Sequence, residues 1–382
     1  MIVSKLLLIF ILCNVSFGFA LRDYDQSPRG YSHLAQVISR YDKDELVGTL
    51  RNFIKETRPT RIVGSEGHHK ASQFIIDFVK KHTDDKSGIM VVDDFVPNID
   101  RAIKLYQDDL KTVQTAGDNV NKAELMKWTN FTNSRVSHLE KLRSQKGKNI
   151  VWEKRGSKFP NEVIVLGAHY DTIAYDKKTL SVLPEVAQPG ADNNGSGVAM
   201  GLGLIQLLSE LKIERTVRVV FFDFQEFGFL GSWDYAKKLS EEVSKGLKLY
   251  SYVNLLMLGH DSKIQDTSKR YGNMNLYISE ADGELYERER KISNEAISLG
   301  SHAMGNVKFD TKSIDFKNGD VTSFKEFKLP GITFTQDWES DFNGKRIHTS
   351  SDFVETLNFK TFYDSFRFIG QFVSSWALNL SK

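Results

Sequence analysis

A chain of 382 residues with 51 basic and 49 acidic side chains carries a net charge of +2, so no overall field favours nucleic acid or an anionic membrane as its main partner. Its composition, 26% charged and 40% hydrophobic, is that of a globular protein, and seven prolines with 27 glycines exclude a collagen-like or disordered chain. The length allows one large α/β domain or two smaller ones.

The first twenty residues read as a secretory signal peptide. Met1 to Lys5 form a short positive start, Leu6 to Val15 a mostly apolar run, and Ser16-Phe17-Gly18-Phe19-Ala20 places small residues ahead of a cleavage point after Ala20. The run is too short to span about 30 Å of hydrocarbon. The expectation is an exported protein, periplasmic or secreted, with no stable membrane span. Cys13 is the only cysteine and falls inside the leader, so no disulfide is available and any metal must be held by His, Asp and Glu.

From Tyr31 to about Lys81 apolar residues recur at helical spacing, with Gly64-Ser65-Glu66-Gly67 as a turn. Ile89 to Val92 predicts a first short strand. Residues 99–146 are charged and helix-prone, with Leu105, Leu110, Val113, Leu125 and Leu139 spaced too sparsely for a core of their own, and read as a helical insertion or cap. Short apolar runs then follow at Asn149 to Trp152, Val163 to Gly167 and Val217 to Phe222, alternating with helical periodicity over Gly195 to Leu211 and Gly228 to Leu239. Such runs, with little polar alternation, indicate a mostly parallel mixed sheet covered by helices on both faces. Further strands are predicted at Tyr250 to Leu258, Met274 to Ile278 and Gly331 to Thr335, and a last helix from Asn358 to Leu378. The chain thus divides into a leader, residues 1–20, and one domain over 21–382 carrying the 99–146 insertion.

Ligands of such sheets sit beyond the carboxyl ends of the strands, and polar residues stand there. Ala168-His169-Tyr170-Asp171 follows one strand, Asp223-Phe224-Gln225-Glu226 another; a glycine-rich turn carries Gly190-Ala191-Asp192-Asn193-Asn194-Gly195-Ser196-Gly197, and His348 lies in Ile347-His348-Thr349-Ser350-Ser351-Asp352. Two imidazoles with several carboxylates at one sheet edge suit a hydrolytic zinc site. His33, His68, His69, His82, His138, His260 and His302 carry no such context and read as surface or core residues.

These segments, together with Phe221-Phe222-Asp223-Phe224-Gln225-Glu226-Phe227-Gly228 and Arg61-Ile62-Val63-Gly64-Ser65-Glu66-Gly67, resemble the M28 zinc exopeptidases, aminopeptidases with two zinc ions on an α/β sheet. The resemblance covers about residues 45–98 and 147–380 and leaves the insertion out. It implies His169 as a ligand of the first zinc, Asp192 as a bridging carboxylate, Glu226 and His348 as completing the second zinc, and Asp171 as the acceptor that orients His169. It also implies a cis peptide after the bridging residue, at Asp192-Asn193.

Two positions depart from the family pattern. Gln225 stands where the family has the glutamate that takes a proton from the metal-bound water, and an amide cannot accept that proton; such catalysis contributes roughly 10²–10⁴ in rate. Leu256 stands where the family has an aspartate ligand of the first zinc, and Asp261 is too far along the chain to replace it. Val321 replaces a histidine common in family pockets. The expectation is therefore one zinc, held by Asp192, Glu226 and His348, with the second site incomplete. The partner implied is a peptide or protein N-terminus. Three functions fit: an aminopeptidase with weak or lost activity, a non-catalytic pseudo-peptidase that binds peptides or proteins, and a single-zinc acyltransferase like the glutaminyl cyclases.

Overall fold

The computed structural model describes residues 28–116, 121–262 and 272–380, so the expected leader and Cys13 lie outside the described residues. Its centre is formed by β3 (Phe159–His169) and β4 (Arg215–Phe222), paired in parallel with Leu166 opposite Val219. Both strands are covered on both faces. Ile164, Leu166 and Ala168 enter one apolar cluster, while Val163 and Val165 enter another, so successive side chains point to opposite layers. This two-sided burial is why the strands read as unbroken apolar runs rather than as alternating ones.

Around this centre the sheet runs β1-β2-β4-β3-β5-β8-β6-β7. The other strands are β1 (Ile89–Phe95), β2 (Gly147–Lys154), β5 (Lys248–Leu255), β6 (Gly272–Ile278), β7 (Val307–Ser313) and β8 (Gly331–Gln336). Pairs β3/β4, β3/β5, β5/β8 and β6/β7 are parallel, and β1/β2, β2/β4 and β6/β8 antiparallel. The mixed α/β sheet expected from the sequence is therefore present. Two details differ. The strand expected over Tyr250 to Leu258 stops at Leu255, because Met257 adopts a left-handed φ of 49° that no strand accommodates. The edge strand β7, VKFDTKS, was not anticipated: with a neighbour on one side only and few buried side chains, it carries little hydrophobic signal.

Helices α1 (Pro28–Ile38), α2 (Lys43–Glu56), α3 (Glu66–His82), α6 (Gly197–Glu210) and α10 (Phe359–Ala377) supply Leu34, Phe53, Ile75, Leu204 and Phe372 to the first cluster. Helices α7 (Leu230–Ser244) and α9 (Val321–Glu326) supply Leu239 and Phe324 to the second; α8 (Tyr286–Gly300) adds Ile292 and Leu299 to the first. Helix starts follow side-chain capping: Ser65 accepts from His68 N at α3 and Asn358 from Thr361 N at α10.

The insertion forms α4 (Ile99–Thr115) and α5 (Lys122–Lys141). Its apolar residues join a cluster shared with the rest of the domain. Ile99, Ala102, Tyr106 and Leu139 pack on Phe224, Phe227 and Ile173 from the loops after β3 and β4. The apolar partners come from distant segments, and this places the two helices over the carboxyl ends of the central strands.

Candidate functional site

The site is assembled from three loops that one buried carboxylate apiece holds in shape. Asp171, just beyond β3, accepts from the main-chain N–H of Gln225 at 3.1 Å and of Glu226 at 3.0 Å, pinning the turn after β4. Asp352 accepts from Asp192 N and Asn193 N, both at 3.0 Å, and pins the glycine-rich turn. Asp223 accepts from Phe224 N at 2.8 Å and Lys148 N at 3.0 Å, and pairs with His68 Nε2 at 2.7 Å. Arg61, fully buried, ties these loops together by donating to the carbonyl oxygens of Tyr170, Pro189 and Gly190, and burial lowers its pKa to about 10. Gly190 has a φ of +58°, and a Cβ there would fall 2.8 Å from the Arg61 guanidinium, so the turn and the arginine demand glycine.

Within this frame Glu226 receives two donors on one oxygen. Asn193 Nδ2 lies 2.6 Å and His348 Nε2 3.0 Å from Oε1. Burial pushes the Glu226 carboxyl up, but the adjoining His348 imidazole outweighs it and holds the group at about 2. The Glu226 main-chain oxygen accepts from Arg135 of α5, whose guanidinium also donates to Tyr106 Oη at 2.7 Å. Phe224, Phe229, Met257 and His348 all sit at left-handed φ between 49° and 59°, a concentration of costly backbone at one site.

Sequence-predicted residues fall into two groups. Gln225, Glu226 and His348 line one cleft of about 440 Å³ with Leu256, and Asn193 joins them there although the sequence pointed to Asp192. His169 is buried beneath it, its Nδ1 3.2 Å from the Asp171 carbonyl oxygen and 3.4 Å from Asp171 Oδ1, with no protein partner for Nε2. Burial drives its pKa down, and Asp171 more than offsets this, so it titrates above its ordinary value. Asp192 is turned away. Its Oδ1 accepts from Gly259 N at 3.0 Å and its Oδ2 from Asn343 Nδ2 at 2.9 Å, and burial with Asp352 nearby raises its pKa. The residue that meets Glu226 beside His348 is Asn193, one position later, and the cis peptide likewise lies at Asn193-Asn194 rather than Asp192-Asn193. Asp261 accepts from Thr361 Oγ1 at 2.8 Å at the start of α10 and takes no part.

The position of Asn193 decides how the residues fit zinc. A catalytic zinc takes three protein ligands, commonly imidazole and carboxylate. Among the described residues no group of three or more His, Cys, Asp or Glu side chains is placed to share a metal ion. Glu226 and His348 come together, but the third member is an amide, and Leu256 packs with Tyr277, Phe316 and Val321 in an apolar cluster. The donor set fits neither two zinc ions nor the one expected.

The insertion contributes residues no motif announced. Tyr106, Trp128, Phe131 and Arg135 line the cleft together with Trp338 and Phe342. The Arg135 guanidinium lies over the rings of Tyr106, Phe131 and Tyr175, 4.6–4.9 Å from their centroids. Trp338 stacks on Phe342 with ring centroids 4.3 Å apart. The signal in the sequence was only the spacing of aromatic residues along α4 and α5.

Comparison with known proteins agrees with this architecture. Aminopeptidase YwaD of Bacillus subtilis is 27% identical over 223 residues, 58% of this chain and 42% of that protein. An aminopeptidase of Pseudomonas aeruginosa is 28% identical over 189 residues, 49% of this chain and 30% of that one. The chain thus spans less than half the length of these relatives. Among solved structures, a zinc aminopeptidase from B. subtilis superposes with a TM-score of 0.59 at 17% identity, covering 88% of this chain and 95% of that one. A Bacteroides thetaiotaomicron glutaminyl cyclase bound to N-acetylhistamine gives 0.58 at 14% identity, covering 89% and 98%. The model of peptidase family M28 matches residues 149–373, more than half the sequence, and includes every site loop after the insertion. The chain belongs to peptidase family M28.

Proposed function

We propose that this protein is an exported M28-fold protein that binds peptides at the ancestral cleft without hydrolysing them. The observation that carries this reading is the set of contacts around Glu226: the position that faces it is the amide of Asn193, and the adjoining position where the family has its general base is Gln225, whose Oε1 has no protein partner. Hydrolysis needs a group that activates water and a group that accepts its proton. Among the described residues no three-ligand metal group is placed to activate water, and the family's proton-acceptor position is the amide of Gln225. The weak-peptidase and cyclase-like readings both require a metal and a base, so the binding reading is favoured over them.

The cleft is suited to a peptide whose first residue is apolar or aromatic. Trp128, Phe131, Trp338 and Phe342 line it with aromatic rings, and Asp109 offers a carboxylate to a terminal ammonium. Leu256, in place of a charged ligand, makes the floor apolar. Calorimetry of the purified chain with peptides beginning in Phe or Leu, in the presence of a chelator, tests this. Binding with the peptide recovered intact is expected. Removal of the first residue by the unaltered protein would overturn it.

A further inference from the structure

We infer that the side-chain amide of Asn193 occupies the place a metal would need, so that hydrogen bonds close this site and it holds no zinc. The inference rests on the non-hydrolytic reading and deepens it, because it names what replaced the metal and which single atom exchange would bring the metal back.

Asn193 Nδ2 at 2.6 Å and His348 Nε2 at 3.0 Å converge on Glu226 Oε1. A buried carboxylate must be met either by a cation or by hydrogen-bond donors. Here two donors already meet the same oxygen. The orientation of the amide follows from chemistry, since its carbonyl oxygen would face another acceptor whereas its NH₂ donates. Nor is the side chain free to swing aside: Asn193 is 3% exposed, and its own N–H is held by Asp352 Oδ2 at 3.0 Å.

Donor chemistry completes the case. A neutral amide is a poor ligand for a borderline-soft divalent ion, whereas aspartate, glutamate and histidine together form a common three-ligand set. Asp192 does not fill the gap: its carboxylate is turned to Gly259 N and Asn343 Nδ2 and does not line the cleft. Exchanging the Asn193 NH₂ for an oxygen would set two carboxylates 2.6 Å apart beside an imidazole, an arrangement that repels itself unless a cation enters. The same exchange would therefore both remove a donor and create a metal site.

The test is zinc binding by dialysis and elemental analysis on the unaltered chain and on Asn193→Asp. The unaltered chain is expected to retain well under one equivalent. Asn193→Asp is expected to gain about one, lost again in Asn193→Asp/His348→Ala. One firm equivalent in the unaltered chain that His348→Ala removes would overturn the inference, even if no peptide is cleaved; cleavage would instead overturn the functional reading. If Asn193→Asp folds but takes up no zinc, the inference fails. If it folds only with zinc present, the inference is supported, and if zinc does not rescue it, the inference fails. Asn193→Ala supplies a check free of metal: a lower melting temperature with no gain of zinc is expected, and an unchanged melting temperature would contradict the role given to the amide.

Discussion

Oε1 of Glu226 lies 2.6 Å from the Asn193 amide nitrogen, so a neutral side chain donates to this buried carboxylate. The pair also explains why the glycine-rich turn and the loop after β4 are locked together. Glu226→Ala would leave the Asn193 amide without a partner in a buried place, at a cost of about 1–3 kcal/mol. Urea denaturation should show that loss, with the fold retained by circular dichroism.

Arg135 links the insertion to the same loop. Its guanidinium donates to Tyr106 Oη and to the Glu226 main-chain oxygen while lying over three aromatic rings. Lysine keeps the charge but not the planar fork, so Arg135→Lys should be no conservative change. The expected loss is about 1–2 kcal/mol in stability from the stacked contacts, with at least a tenfold loss in peptide affinity by calorimetry. Unchanged affinity would detach α4 and α5 from the binding cleft.

Restoring the family residues at Gln225 and Leu256 should not be enough for hydrolysis. Gln225→Glu returns a proton acceptor and Leu256→Asp a carboxylate, but Asn193 still denies the shared position its charge. Leu256 packs among Tyr277, Phe316 and Val321, so a carboxylate there is also expected to destabilise by roughly 2–4 kcal/mol. Turnover of aminoacyl-nitroanilides should remain at background in the double variant and rise only when Asn193→Asp is added with zinc.

His68 and Asp223 give a pH dependence. Burial lowers the His68 pKa, but the Asp223 carboxylate at 2.7 Å more than compensates, and the net direction is upward. A histidine whose folded-state pKa exceeds its unfolded value contributes stability that is complete below about pH 6.5 and is lost as pH rises through the folded value. His68→Gln should therefore cost more stability at pH 5.5 than at pH 9, read by urea denaturation at both. Equal costs would show that the pair acts only through packing.

The central sheet was legible because strands covered on both faces must be continuously apolar, as in Val163 to Gly167 and Val217 to Phe222. The edge strand β7 escaped notice for the converse reason. The site loops were legible as polar residues at strand ends, and Glu226 and His348 pair there. What could not be read was which of Asp192 and Asn193 faces the cleft. Both are small polar residues in one turn, and the choice is made by distant partners: Asp352 on their main-chain N–H groups, Gly259 and Asn343 on the Asp192 carboxylate. A shift of one residue in that turn changes a three-ligand site into two ligands and an amide. The role of the insertion was hidden in the same way, since the aromatic residues of α4 and α5 find their partners in loops after β3 and β4.

The central claim is that the cleft binds without cleaving. Its most direct measurement is mass spectrometry of a peptide with an N-terminal Leu or Phe after prolonged incubation with the unaltered protein at saturating zinc. The account predicts that the peptide is recovered at full length, with or without the metal. Loss of the first residue that depends on zinc and disappears in His348→Ala would contradict it.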